Sequence, residues 1–145
     1  MIAYADTSFL ASLYGTDTNS RQAAHYILTL HPTFLITPFG ELELFTAFEA
    51  ATFRKLLSAS EVEASMHAFR ADLAMGVLSR KPIPQNAFAR AILLSKLYTR
   101  TLGSRTLDIL QVAIALELDA EVFFTFDKDQ AKLAKRAGLT VRPGR

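Results

Sequence analysis

Short apolar runs at residues 1–5, 34–37 and 121–126 are too brief to be buried helices, and long segments with helical spacing separate them. Strands that alternate with helices pair in parallel through right-handed crossovers. The pattern therefore predicts an α/β fold, a three-layer α/β/α sandwich around a central parallel sheet. A chain of 145 residues with 50% hydrophobic content can bury such a core as a single domain over 1–145. No internal repeat, low-complexity segment or linker divides it.

Local signals place the helices. Asp6-Thr-Ser offers an N-cap before residues 9–14, and Ser20 offers one over 21–30, which His31-Pro32 stops. Pro38 opens a helix over 39–57 that is apolar almost all round, so it is expected to be buried or to lie at a subunit interface. Ser60 to Glu63 spells a capping box for a helix from Glu61 to about Met75. Residues 76–84 read as a loop or irregular strand, and 85–101 as a helix closed by Gly103. Thr106 is the expected cap of a central apolar helix over 107–118. A last helix over 128–137 ends at Gly138, before a final strand at 139–141.

Composition excludes several chemistries. With no cysteine there is no disulfide, thiolate zinc site or cysteine nucleophile, and His25, His31 and His67 lack metal-ligand spacing. The first apolar stretch has no preceding Lys or Arg and is interrupted by Asp6, and no run approaches the ~20 residues needed to cross a bilayer. A soluble, cytoplasmic protein without membrane contact is expected. Charge is uneven: residues 1–75 carry eight acidic and four basic side chains, residues 76–145 six acidic and twelve basic. The second half could face a polyanion.

Four acidic residues stand where the chain changes secondary structure. Asp6 and Asp127 end strand-like runs, where open α/β sheets bind ligands, and each fits a helix cap and a ligand alike. Asp129 is the alternative first-turn acid beside Asp127. Asp108 sits in the first turn of an apolar helix, where dipole stabilisation competes with a role as a partly desolvated ligand. Glu43 lies inside a helix and cannot be a cap. Its rival Glu41 is rotated from it by roughly 200°, so only one of the two can join a cluster, and Ala47 and Ala50 leave room on the face of Glu43. Pairing of Glu43 with Arg54 is the structural alternative. Carboxylates gathered at strand ends need a cation, and Mg²⁺ or Mn²⁺ suits all-oxygen ligands.

An N-terminal strand ending in Asp6-Thr-Ser, a Thr-Pro before helical Glu43, the helix Leu-Asp108-Ile-Leu-x-x-Ala-x-Ala-Leu, and Phe-x-Thr125-Phe-Asp127 together resemble the PIN-domain nucleases, in particular VapC-type ribonuclease toxins. The resemblance spans essentially the whole chain. It implies that Asp6, Glu43, Asp108 and Asp127 are the catalytic acidic quartet binding Mg²⁺ or Mn²⁺, with Thr7, Ser8 and Thr125 orienting waters. It further implies RNA hydrolysis, a homodimer and a small antitoxin partner. Arg80, Lys81, Lys96, Arg100 and Arg105 are candidate RNA contacts on a basic rim, with Tyr98 nearby. Two other readings are a non-catalytic interaction module and an aspartyl-phosphate phosphatase, the latter opposed by Ser8 standing where such enzymes carry a second Asp.

Overall fold

The computed structural model describes residues 1–144. Five strands, β1 (Ile2–Ala5), β2 (Thr33–Ile36), β3 (Leu78–Arg80), β4 (Val122–Phe124) and β5 (Thr140–Arg142), form one sheet in the order β3-β2-β1-β4-β5. Every neighbouring pair is parallel, with Ala3 opposite Phe34 on one side and Val122 on the other. Between them run helices α1 (Thr7–Tyr14), α2 (Ser20–Leu30), α3 (Pro38–Phe53), α4 (Ala59–Met75), α5 (Ala87–Leu102), α6 (Thr106–Glu117) and α7 (Lys128–Arg136).

Strand alternation sends side chains to two separate cores. Ala3, Ala5, Phe34, Ile36 and Phe124 pack with Phe9, Leu44, Phe48 and Phe69 of α1, α3 and α4. Tyr4, Leu35, Phe123 and Val141 pack with Leu94, Ile109, Val112 and Leu133 of α5, α6 and α7. Both faces of the sheet are thus covered, as the three-layer reading requires. The chain leaves β1 into the first layer through α1 and leaves β4 into the second through α7. These adjacent strands are the topological switch point, and the crevice beyond their carboxyl ends is where such sheets place ligands.

Several local expectations are corrected. The capping box is Ser58 and Glu61: Ser58 Oγ accepts from the Glu61 amide at 3.1 Å, and Glu61 Oε1 accepts from the Ser58 amide at 3.0 Å. Two overlapping Ser-x-x-Glu tetrads occur, and the earlier one acts because α4 begins at Ala59. Ser20 and Thr106 are first residues of their helices and cap neither; Ser20 Oγ instead accepts from the Asp17 amide at 2.9 Å. Thr37 leaves the strand and caps α3, its Oγ1 accepting from the Gly40 amide at 3.3 Å. Helix α3 ends at Phe53, short of residue 57, because Lys55 turns left-handed (φ 60°). Residues 78–80 are an ordered edge strand beside β2. Gly103 closes α5 with φ 65°, as expected of a C-terminal glycine. Among the described residues no helix is long and apolar enough to cross a membrane.

Candidate active site

Strand β1 stops at Ala5 because Asp6 caps α1. Its backbone amide donates to the Phe124 carbonyl at 3.0 Å, which ties the ends of β1 and β4 together. The side chain is 4% exposed. Asp6 Oδ1 accepts from the Phe9 amide (3.0 Å) and Ser8 Oγ (2.7 Å), and Oδ2 accepts from Thr125 Oγ1 at 2.5 Å. Ser8 Oγ also accepts from the Phe126 amide at 3.0 Å, so the hydroxyls of Ser8 and Thr125 stitch the two strand ends around this carboxylate. Asp127 caps α7 with one oxygen only, Oδ1 accepting from the amides of Asp129 (2.8 Å) and Gln130 (3.0 Å). These capping bonds use Oδ1 alone, and the residue also lines the cavity described below.

Glu41 and Glu43 of α3 separate as their spacing requires. Glu41 Oε1 and Oε2 accept from Arg80 Nε and Nη2 at 2.7–3.2 Å, a bidentate pair with β3. Glu43 turns the other way, and its Oε2 accepts from Thr7 Oγ1 at 3.0 Å. The alternative pairing with Arg54 is not what Glu43 makes; its partner is Thr7. Among the described residues Glu43 Oε1 is buried without a hydrogen-bond partner, an expensive state for a carboxylate oxygen. Asp108, half-buried in the first turn of α6, has Oδ2 3.5 Å from Arg105 Nε.

These groups line one cavity of about 120 Å³, whose walls are Asp6, Thr7, Ser8, Glu43, Asp108, Gln111, Asp127 and Gln130. Burial pushes the Asp6 carboxyl up to about 6, against the opposing hydrogen bonds of Thr125, Ser8 and Phe9 and with a further contribution from the Asp127 charge. Glu43 is also raised, by burial first and by Asp108, while Thr7 and Gln111 oppose. Asp108 is raised by burial, with Arg105 opposing and Asp127 and Asp129 adding. Asp6, Glu43 and Asp108 are thus made harder to ionise by desolvation and by neighbouring carboxylates, which is the electrostatic condition a cation relieves.

Among the described residues no three His, Cys, Asp or Glu side chains already stand as an ion-holding set. The donor chemistry nevertheless fits a hard divalent ion. All the donors are oxygens, and two buried acceptors in the cavity wall, Glu43 Oε1 and Gln130 Oε1, lack partners. An ion of the Mg²⁺ kind keeps several waters and needs only one or two carboxylates directly, so an uncontracted cluster is compatible with it.

Of the expected site residues, Asp6, Thr7, Ser8, Glu43, Asp108 and Asp127 line the cavity, and Thr125 supports it through Asp6. Arg80, Lys81, Lys96, Arg100 and Arg105 are exposed and outside its wall; Arg105 reaches it through Asp108 and Arg80 is held by Glu41. Gln111 and Gln130 were missed. Each follows an acidic residue by three positions, Asp108 and Asp127, so it shares that residue's helix face. Gln111, a lone polar group between Leu110 and Val112 of an otherwise apolar helix, was the visible signal.

A family model described as a PIN domain matches residues 3–136. Among solved structures the chain is similar to Mycobacterium tuberculosis VapC20, described as a sarcin-ricin loop cleaving toxin. The TM-score is 0.68 at 17% identity, over 95% of this chain and 96% of that one. It is similar to a chain of Rickettsia felis VapBC2, solved bound to a DNA fragment from its promoter (TM-score 0.67, 14% identity, 98% of both chains). It is also similar to Neisseria gonorrhoeae FitAcB (TM-score 0.65, 16% identity, 97% and 96%). At these identities the likeness is one of fold. No curated protein matches the sequence significantly.

Proposed function

Since the chain belongs to the PIN domain family, we propose that it is a Mg²⁺- or Mn²⁺-dependent endoribonuclease of the VapC type, acting as the toxin of a toxin–antitoxin pair. The observation that carries this reading is the acidic cavity at the switch point, with Glu43 Oε1 buried and unpartnered among the described residues and the carboxyls of Asp6, Glu43 and Asp108 raised by burial. Family membership sets aside the aspartyl-phosphate phosphatase reading, and Ser8, tied to Asp6 and Phe126, is a positioning hydroxyl and not a second acid.

Asp6 and Asp108 are the main residues that would hold the ion, with Glu43 and Asp127 binding directly or through water. When bound, a divalent ion supplies Lewis-acid stabilisation of the phosphodiester and an acidified water. The protein's own part is to gather these carboxylates around one small cavity, with Thr7, Ser8 and Thr125 fixing their orientation. RNA would run over the exposed basic side chains of Arg105, Arg100, Lys96, Arg80 and Lys81, which neutralise backbone phosphates. Incubating the purified chain with mixed single-stranded RNA should give cleavage with Mg²⁺ or Mn²⁺ and none with EDTA. Metal-independent cleavage removes the proposed metal dependence, and no cleavage with either ion removes the nuclease reading and leaves a non-catalytic interaction module.

The VapBC2 and FitAcB neighbours are consistent with a small antitoxin partner for this chain as well. A homodimer is part of the same reading. Leu42 (65% exposed) and Phe53 (88% exposed) are eleven positions apart and share the uncovered face of α3, with exposed Thr46 and Glu49 between them. A symmetric pair burying that stripe is the commonest solution for such a surface. Sedimentation at micromolar concentration should show a dimer, and Phe53→Glu should return it to a monomer.

A further inference from the structure

A line of hydrogen bonds runs from the second core into the acidic cavity. The Tyr4 hydroxyl donates to Gln111 Oε1. Gln111 Nε2 is then turned toward Thr7 Oγ1, 3.4 Å away, and Thr7 Oγ1 donates to Glu43 Oε2 at 3.0 Å. Tyr4 and Gln111 are buried, 1% and 2% exposed. Tyr4 is itself held by stacking on Phe123, with ring centroids 5.6 Å apart and planes 13° from parallel.

The order of donors has a consequence. An amide offers an acceptor at one end and donors at the other. With its oxygen taken by Tyr4, Gln111 can present only N–H to Thr7. The Thr7 hydroxyl therefore spends a lone pair on Gln111 and its proton on Glu43 Oε2. That fixes which Glu43 oxygen is engaged and leaves Oε1 as the buried, unpartnered one in the cavity.

We infer that Gln111, oriented by Tyr4 and acting through Thr7, is a positioning residue that sets the Glu43 carboxylate for the cation. The inference rests on the reading of the cavity as a divalent-ion site. The Tyr4 bond satisfies only the amide oxygen, and the buried Nε2 finds its acceptor in Thr7, the residue that holds Glu43. Here the chain crosses from β1 through α6 and α1 to α3, so it links the four elements that must keep register for one carboxylate to face the others. Partners of this kind, which hold a metal ligand without touching the metal, typically account for ~10–100-fold in metal affinity or activity.

Mn²⁺ binding to the full chain, followed by electron paramagnetic resonance of free Mn²⁺, tests this without reference to turnover. Gln111→Leu removes the relay at nearly constant volume and is expected to weaken Mn²⁺ by ~10–100-fold. Tyr4→Phe removes one hydroxyl, lets the amide flip, and should weaken it in the same direction by less; it serves if Gln111→Leu folds poorly in a thermal melt. In a Glu43→Gln background, adding Gln111→Leu should cause no further loss, because the two act in series. Wild-type affinity retained in folded Gln111→Leu or in Tyr4→Phe overturns the positioning role alone. A full additional loss in the double variant does the same. A wild-type chain that fails to bind Mn²⁺ overturns the cation site itself.

Discussion

Asp6→Asn is expected to abolish RNA cleavage and, in metal-free buffer at neutral pH, to raise thermal stability. The variant separates two roles that coincide in one side chain. As a cap, Asn is as good as Asp, so the bonds from the Phe9 amide and Ser8 Oγ to Oδ1 survive. What changes is Oδ2, which becomes an amide nitrogen facing Thr125 Oγ1. Thr125 must turn and accept, with its own proton left to the Asp127 carbonyl at 3.5 Å, a loss of roughly 1 kcal/mol.

The charge outweighs this. A carboxyl raised from 3.8 to about 6 by burial is penalised in the folded state once it ionises, which amounts to roughly 3 kcal/mol at neutral pH. The sign follows from proton counts. Between 3.8 and about 6 the folded chain holds a proton that the unfolded chain has released, so stability falls as pH rises through that window and stays lower above it. Metal-free wild type should therefore lose melting temperature across this range, and Asp6→Asn should lack that part of the decline. Mg²⁺ should restore stability to the wild type and not to the variant. Equal response of both proteins to Mg²⁺, with cleavage intact, would mean that Asp6 only caps α1.

The sheet and its helices were legible because their signals are local. Apolar runs ending in Asp, the Gly103 stop and the His31-Pro32 break each act within a few residues, and the structure uses them as read. Cap positions were less legible where two candidates sat side by side. Ser58 and Ser60 both precede a Glu by three, and which one acts depends on where Lys55 ends the previous helix, a tertiary matter. The edge strand at 78–80 is three residues long and gains its identity from pairing with β2, which no local pattern announces. Within the cavity, carboxylates stood out since an acid at a strand end or inside an apolar helix needs explaining. Gln111 and Gln130 did not, because a neutral amide carries no charge to be neutralised, and Tyr4, the partner that orients Gln111, is more than a hundred positions away.

Glu43→Gln should reduce cleavage far more than Glu41→Gln, and the contrast tests the register of α3. The two residues are two positions apart, so the helix points them to nearly opposite sides. Glu41 is bound by Arg80 in a bidentate pair whose guanidinium is largely in solvent. Its loss frees Arg80 on the surface, where water takes the place of the carboxylate. The expected outcome for Glu41→Gln is a small change in RNA affinity with turnover kept. Glu43→Gln removes a charge from the cavity and places an amide where Oε1 is now unpartnered. The loss should reach or exceed the ~10–100-fold typical when a metal ligand's outer partner is removed. Because burial and Asp108 both raise the Glu43 carboxyl, metal-free stability should hold or improve in the variant. Cleavage rates for the two variants at saturating Mg²⁺, with melts as the folding control, decide the matter. The opposite ranking would place Glu41 in the site and show the face assignment of α3 to be wrong.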